Sequence, residues 1–182
     1  HDTFFKIFVR KTLKDPNKIA VMDDISLKIL KILQEKARVP NIEVARQVGM
    51  APSGVLERVR KLEQQGIIDG YEVRLNPARF DRSLVAFVLV APQPDSDESK
   101  LGGALAAVPD VQEVHYVAGE DGFMIKIRAA DTVRLERIRR EKIAALPQVR
   151  STRTMIVLQT YKETARIPLD DSSIQKIRKR RT

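Results

Sequence analysis

Residues Asn41–Tyr71 read NIEVARQVGMAPSGVLERVRKLEQQGIIDGY, and their punctuation decides the fold. Asn41 is a capping residue type, and Val44 and Val48 form an inner stripe over two turns, with Ala45 small enough for close helix approach. Gly49 supplies the left-handed residue that closes a helix. Pro52 suits the first turn of the next one, where no N–H is required. Val55, Val59 and Leu62 then line one face of a longer basic helix, and Gly66 ends it. Asp69-Gly70 lies between β-forming residues and predicts a hairpin. Short helix, tight turn, longer basic helix and hairpin make up the layout of a winged helix-turn-helix.

Working outward, the segment before this stretch supplies a third helix. Asp23 is a good N-cap, and Ile25, Ile29 and Ile32 follow at helical spacing, so a helix is expected to end near Lys36. Residues 1–21 carry Phe4, Phe5, Ile7, Phe8 and Val9 followed by polar sequence with Pro16, and are expected to be an arm or extension. The reading domain is therefore placed at residues 22–75, with a linker at 76–83 beginning at Asn76-Pro77.

The remainder has a different rhythm. Leu84–Val90 (LVAFVLV) is continuously apolar, as a strand covered on both faces should be. Leu101, Leu105 and Val108 give a helical stripe. Val111–Ala118 and Phe123–Arg128 read as strands around the turn GEDG. Thr132–Leu146 reads as a helix whose stripe is broken near Lys142. Val149–Tyr161 reads as a last strand. The order β-α-β-β-α-β is the ferredoxin-like split motif, making the chain α+β, with this domain at residues 84–162 and a basic tail at 163–182. Such a sheet leaves one face without helices, and a second copy of the chain is its simplest cover.

Composition narrows the chemistry. The 182 residues contain no cysteine and two histidines, which leaves no disulfide, thiolate metal site or cysteine nucleophile. No apolar run is long enough to span a bilayer, and a cytoplasmic, nucleoid-associated location is expected. Of the net charge of +9, residues 1–21 carry +3 and residues 162–182 carry +4. A polyanion partner fits this distribution. His115 lies in a strand between Val114 and Tyr116 and reads as structural. No carboxylate pair has catalytic spacing, and Gly102-Gly103 lacks a nucleotide-binding frame, so no enzyme activity and no cofactor are expected.

A helix that reads DNA needs an apolar face for its domain and a polar face for the groove. With Val55, Val59 and Leu62 inward, the expected groove-facing residues are Ser53, Gly54, Glu57, Arg58 and Lys61. Ser53 can donate or accept, Gly54 allows close backbone approach, and Arg58 suits the guanine O6 and N7 acceptors. Glu57 can accept from cytosine or orient Arg58. Arg60 and Lys61 are expected on phosphates, with Arg46, Lys36 and Arg38 adding charge. An ordinary three-helix bundle would share the periodicity, but not the conjunction of turn glycine, first-turn proline, basic helix and Asp-Gly hairpin.

Three stretches, MDDISLKILKILQEKAR from Met22, VARQVGMAPSGVLERVRKLEQQGIIDGY from Val44 and the later VRSTRTMIVLQTYK, resemble the Lrp/AsnC (feast/famine) family of prokaryotic transcription regulators. The resemblance spans Met22–Lys162. It implies a non-enzymatic, double-stranded-DNA-binding homodimer joined through the βαββαβ domains and assembled further into tetramers or octamers. It also implies an amino acid or related small molecule as effector, bound between those domains near the turn joining the second and third strands. The matching residues are Gly119, Glu120, Asp121 and Gly122, with Thr152 and Thr154 (beside Arg153) on the last strand. Two positions depart from the family pattern. Gly122 replaces an aspartate, removing a partner for a ligand ammonium, and Ala51 replaces the usual serine cap. The alternative to a sequence-specific regulator is a nucleoid-organising protein with little effector response.

Overall fold

The computed structural model describes residues 22–119 and 122–169; the arm over residues 1–21, Glu120, Asp121 and the basic tail from residue 170 lie outside the described residues. The chain divides into two compact units, His1–Val73 with Thr164–Thr182, and Arg74–Glu163.

The first unit is a three-helix domain. Helix α1 spans Asp24–Glu35 and starts under Asp23, whose side chain accepts the Ser26 N–H at 2.8 Å. Helix α2 spans Asn41–Val48 and ends at Gly49, which takes the left-handed conformation at φ 69°. Helix α3 spans Pro52–Gln64, with Pro52 in its first turn. Ile29, Val44, Ala45 and Val55 meet at the centre, with Ile25, Ile32, Val48 and Val59 around them. Asn41 does not cap α2. Pro40 occupies that position in extended backbone, and Asn41 is already helical.

The expected hairpin after α3 is absent. Ile67–Leu75 contains no strand, and Gly70 is not among the glycines with positive φ that a primed Asp-Gly turn demands. Gly66 takes the left-handed conformation instead (φ 69°), and the N–H groups of Ile67 and Ile68 both donate to Leu62 O, at 2.9 and 3.2 Å. This wraps the chain onto the end of α3 before a hairpin can begin. Tyr71 Oη donates to Glu63 Oε1 at 3.0 Å, holding the wing segment against the helix.

The second unit follows the βαββαβ order. Strand β1 is Leu84–Pro92, helix α4 Glu98–Ala106, β2 Val111–Tyr116, β3 Phe123–Ala129, α5 Thr132–Ile138 and β4 Val149–Ile156. A short 3-10 turn, Pro77–Phe80, precedes β1. The sheet order is β2-β3-β1-β4, with every neighbouring pair antiparallel. Leu101 and Leu105 from α4 and Leu135 and Ile138 from α5 cover Val88, Val90, Ile125 and Ile127.

This unit departs from expectation in two places. The helix expected over Thr132–Leu146 leaves α geometry after Ile138 and continues as a π-helical turn, Arg139–Ile143. The inserted residue moves the apolar stripe from Lys142 to Ile143, which is buried, while Lys142 Nζ reaches Asp110 Oδ2 at 2.7 Å. Strand β4 stops at Ile156, short of Tyr161, and one further bond to β1 follows it, from Val157 N–H to Val85 O at 2.9 Å. No helix among the described residues is long and apolar enough to cross a membrane.

Candidate nucleic-acid interface

Helix α3 buries Val55 and Leu62, while Arg58 and Val59 are half-buried. Successive residues turn by about 100°, so 55, 58, 59 and 62 share the inward line. The opposite line carries Ser53, Glu57, Arg60 and Gln64, all exposed, with Lys61 on one flank and Leu56 on the other. Arg60 and Lys61 form no ion pair with any described residue.

Arg58 stands elsewhere than expected. Its Nη1 donates to Asp23 Oδ2 at 2.5 Å and to Ser26 Oγ at 3.1 Å. The arginine assigned to guanine is thus committed inside the unit. Sequence spacing alone placed Arg58 among the polar residues of α3, but position 58 falls between Val55 and Leu62 on the buried line. The overlooked signal was the acid at Asp23, which gives an inward arginine its partner. Burial pushes the Asp23 carboxyl up, but the hydrogen bonds from Ser26 and Arg58 outweigh it and hold the group below its ordinary range.

Arg46 is exposed but paired, its Nε and Nη2 donating to the two Glu43 oxygens at 3.2 and 2.8 Å. Gln47 Nε2 also donates to Glu43, at 2.9 Å. The N-terminus of α3 has no side-chain cap, as the Ala51 departure implies. Gly54 has a neighbour of its own. A Cβ there would lie 3.0 Å from Met50 Cε, the mobile end of that side chain.

The residues expected around an effector divide between two places. Gly119 and Gly122 close the β2–β3 turn, both at positive φ (144° and 78°), and Val117 N donates to Gly122 O at 2.7 Å. A Cβ on Gly122 would meet Pro92 Cδ at 2.8 Å, so Pro92 excludes the aspartate that the family pattern has there. Thr152 and Thr154 pair with Val90 and Val88 and therefore lie on the helix-covered face of the sheet. Thr152 Oγ1 accepts from Arg139 at 3.1 Å, and Thr154 Oγ1 is buried without a partner among the described residues. An open depression of about 350 Å³ is lined by Thr132, Val133, Glu136, Arg137 and Arg140, none of them an expected effector residue.

The other face of the sheet has no helix. Phe87 and Leu89 from β1, Met124 from β3 and Met155 from β4 make it partly apolar. Beside them Lys126 is buried among acids, with Nζ 2.8 Å from Glu113 Oε1 and also bonded to Glu163, whose other oxygen is 2.6 Å from Arg128 Nη2. Arg74 Nη2 donates to the Glu163 backbone oxygen at 3.3 Å. The tail is likewise held at its start: Ile167 N donates to Gln34 Oε1 at 2.9 Å, and Arg166 Nη2 to Glu35 O at 3.1 Å.

Residues 22–69 match the model of a winged helix-turn-helix DNA-binding domain, and residues 85–167 match that of the Lrp/AsnC ligand binding domain. The leucine-responsive regulatory protein of Haemophilus influenzae is 36% identical over 86% of this chain and 94% of its own. This chain belongs to the Lrp/AsnC family of DNA-binding transcriptional regulators. The leucine-responsive regulatory protein of Escherichia coli K12 is also 36% identical, over 80% of this chain and 90% of its own. Among solved structures, a transcriptional regulator of Neisseria meningitidis in complex with L-methionine superposes with a TM-score of 0.78 at 26% identity, covering 82% of this chain and 97% of that one. The feast or famine regulatory protein of Mycobacterium tuberculosis complexed with L-methionine gives a TM-score of 0.75 at 31% identity, covering 81% of this chain and 99% of that one.

Proposed function

We propose that this family member reads duplex DNA sequence-specifically as a homodimer and that a small amino-acid-like metabolite adjusts the binding. The observation that carries the reading is the outward line of α3, where Ser53, Glu57, Arg60 and Gln64 face solvent opposite a buried apolar stripe. Those are donor, acceptor, fork-shaped cation and amide, the groups that discriminate base edges. Arg60 takes the guanine-reading role first given to Arg58. Lys61, on the flank, and Arg46, near the end of α2, are placed on phosphates, where charge matters and sequence does not. The uncapped N-terminus of α3 offers backbone N–H groups to a phosphate oxygen. The partly apolar, helix-free sheet face supports the dimer, which brings two readers to two half-sites. The L-methionine complexes of two structural relatives support an effector of amino-acid type.

The test is enrichment of duplexes from a random-sequence library, followed by titration of enriched and scrambled duplexes at several salt concentrations. Sequence reading predicts a clear preference for the enriched duplex; equal affinity at physiological salt would instead support a nucleoid-organising protein. Arg60→Ala should lower discrimination at one base pair by about 1–3 kcal/mol, whereas Lys61→Ala should weaken all duplexes alike and reduce the salt slope by about 1. A thermal-shift series with L-amino acids tests the effector. A ligand at 100 times its Kd should add about 2.7 kcal/mol of stability.

A further inference from the structure

One residue on α3 has a charge that is not offered to the groove. Arg58 lies on the inward line with Val55 and Leu62, and its guanidinium bonds both Asp23 and Ser26. Asp23 uses its other oxygen, Oδ1, to accept the Ser26 N–H that starts α1. Two side chains and Ser26, through its hydroxyl and its backbone N–H, therefore close a ring between the first turn of α1 and the middle of α3, with Asp23 and Arg58 35 residues apart in the chain. The guanidinium is half-buried and its charge is answered by a carboxylate within the same unit.

We infer that Arg58 is a positioning residue for DNA reading: through Asp23 it fixes the roll of α3, and it makes no contact with DNA itself. The inference rests on the assignment of the outward line to base edges. Its physical basis is the thinness of the apolar stripe. Apolar contact is non-directional and resists rolling of a helix poorly, whereas a charged two-acceptor hydrogen bond has a defined geometry. At a side-chain radius of ~6 Å, a roll of about 30° moves the tip of Arg60 by ~3 Å, which is enough to lose a base-edge hydrogen bond. Because Asp23 neutralises Arg58, the residue should add little to counterion release on DNA.

The experiment uses the full chain and the duplex that the wild type enriches from a random library, with a scrambled duplex beside it. Asp23→Asn keeps a good N-cap but removes the charge, and Arg58→Lys keeps the charge but loses the planar fork. At a temperature where circular dichroism shows every variant folded, each should weaken binding to the enriched duplex by about tenfold. The double variant should be no weaker than the weaker single one. The slope of log affinity against log salt should stay at the wild-type value, and the exchanged pair Asp23→Arg/Arg58→Asp should recover part of the loss. A loss in Arg58→Lys with none in Asp23→Asn, or a salt slope made shallower when Arg58→Gln removes the charge, would show Arg58 on DNA and overturn the inference. Unchanged affinity in both singles would reduce the ring to a structural tie, which overturns it as well. If the wild type enriches no duplex at all, the DNA-reading proposal fails first, a result seen before any variant is made.

Discussion

The two units hold themselves together by different means. At the centre of the second unit fourteen buried residues form one cluster between helices and sheet; the reader has four at its centre, and half-buried side chains complete it. A thin core leaves more of the architecture to directional polar ties, and the reader has them in Asp23–Arg58, Asp23–Ser26 and Tyr71–Glu63. The second unit has polar ties too, Lys142–Asp110 and Arg139–Thr152 beside its helices and Lys126–Glu113 on its helix-free face, but they border a much larger apolar cluster. The first unit thus relies more on directional bonds, and the second more on packed volume.

Substitutions can break this contrast. Leu105→Ala, at a fully buried site of α4, should cost the second unit about 2–5 kcal/mol, read by denaturant unfolding. Val55→Ala in the reader should cost about 2 kcal/mol, since less side chain is removed and half-buried neighbours can close in. A larger loss from Val55→Ala than from Leu105→Ala would refute the contrast. Gly122→Ala should cost on the order of 1–2 kcal/mol, because its φ of 78° disfavours a side chain and Pro92 occupies the space.

The charged ring on the helix-free face predicts an acid response. Hydrogen bonds from Lys126 hold Glu113 and Glu163 below the ordinary glutamate range, against the opposing effect of burial. Depressed carboxylates favour the folded state at neutral pH, and that contribution is lost as pH falls below the ordinary value of 4.5. Burial pulls the Lys126 ammonium down, but the two glutamates outweigh it and leave the group raised, so its share is lost only above its ordinary 10.5. Lys126→Met should flatten the acid limb by on the order of 1 kcal/mol, a figure already discounted for the exposed glutamates, when unfolding is followed from pH 7 to about 3. The smallest effect belongs to Tyr71→Phe, under about 1 kcal/mol, because Tyr71 is half-exposed and water can replace Glu63. Burial, with Glu63 adding to it, pushes the Tyr71 hydroxyl up to about 12, so that bond should persist through alkaline titration past pH 10.

Much of the architecture was legible because the deciding signals are local. Asp23 caps α1, Gly49 turns left-handed and Pro52 opens α3, each within a few residues of the element it controls. The hairpin was misread for a related reason. Asp69-Gly70 is a strong turn signal, but a two-stranded hairpin is marginal on its own, and the bonds from Ile67 and Ile68 to Leu62 claim the chain first. The α5 stripe was readable only as a defect near Lys142; the π turn buries Ile143 instead and leaves Lys142 to pair with Asp110, 32 residues away. On the candidate interface, spacing identified the helix but put Arg58 on its outward line, whereas the structure turns it inward to Asp23.

The sequence by itself determined the order of elements, the family and the helix-turn-helix, because periodicity and caps act over a few residues. Tertiary structure alone decided which arginine faces outward, why Gly122 has no side chain and where Thr152 and Thr154 lie. Each of those depends on a partner distant in the chain, Asp23 for Arg58, Pro92 for Gly122 and β1 for the two threonines, and only the folded packing brings such partners together.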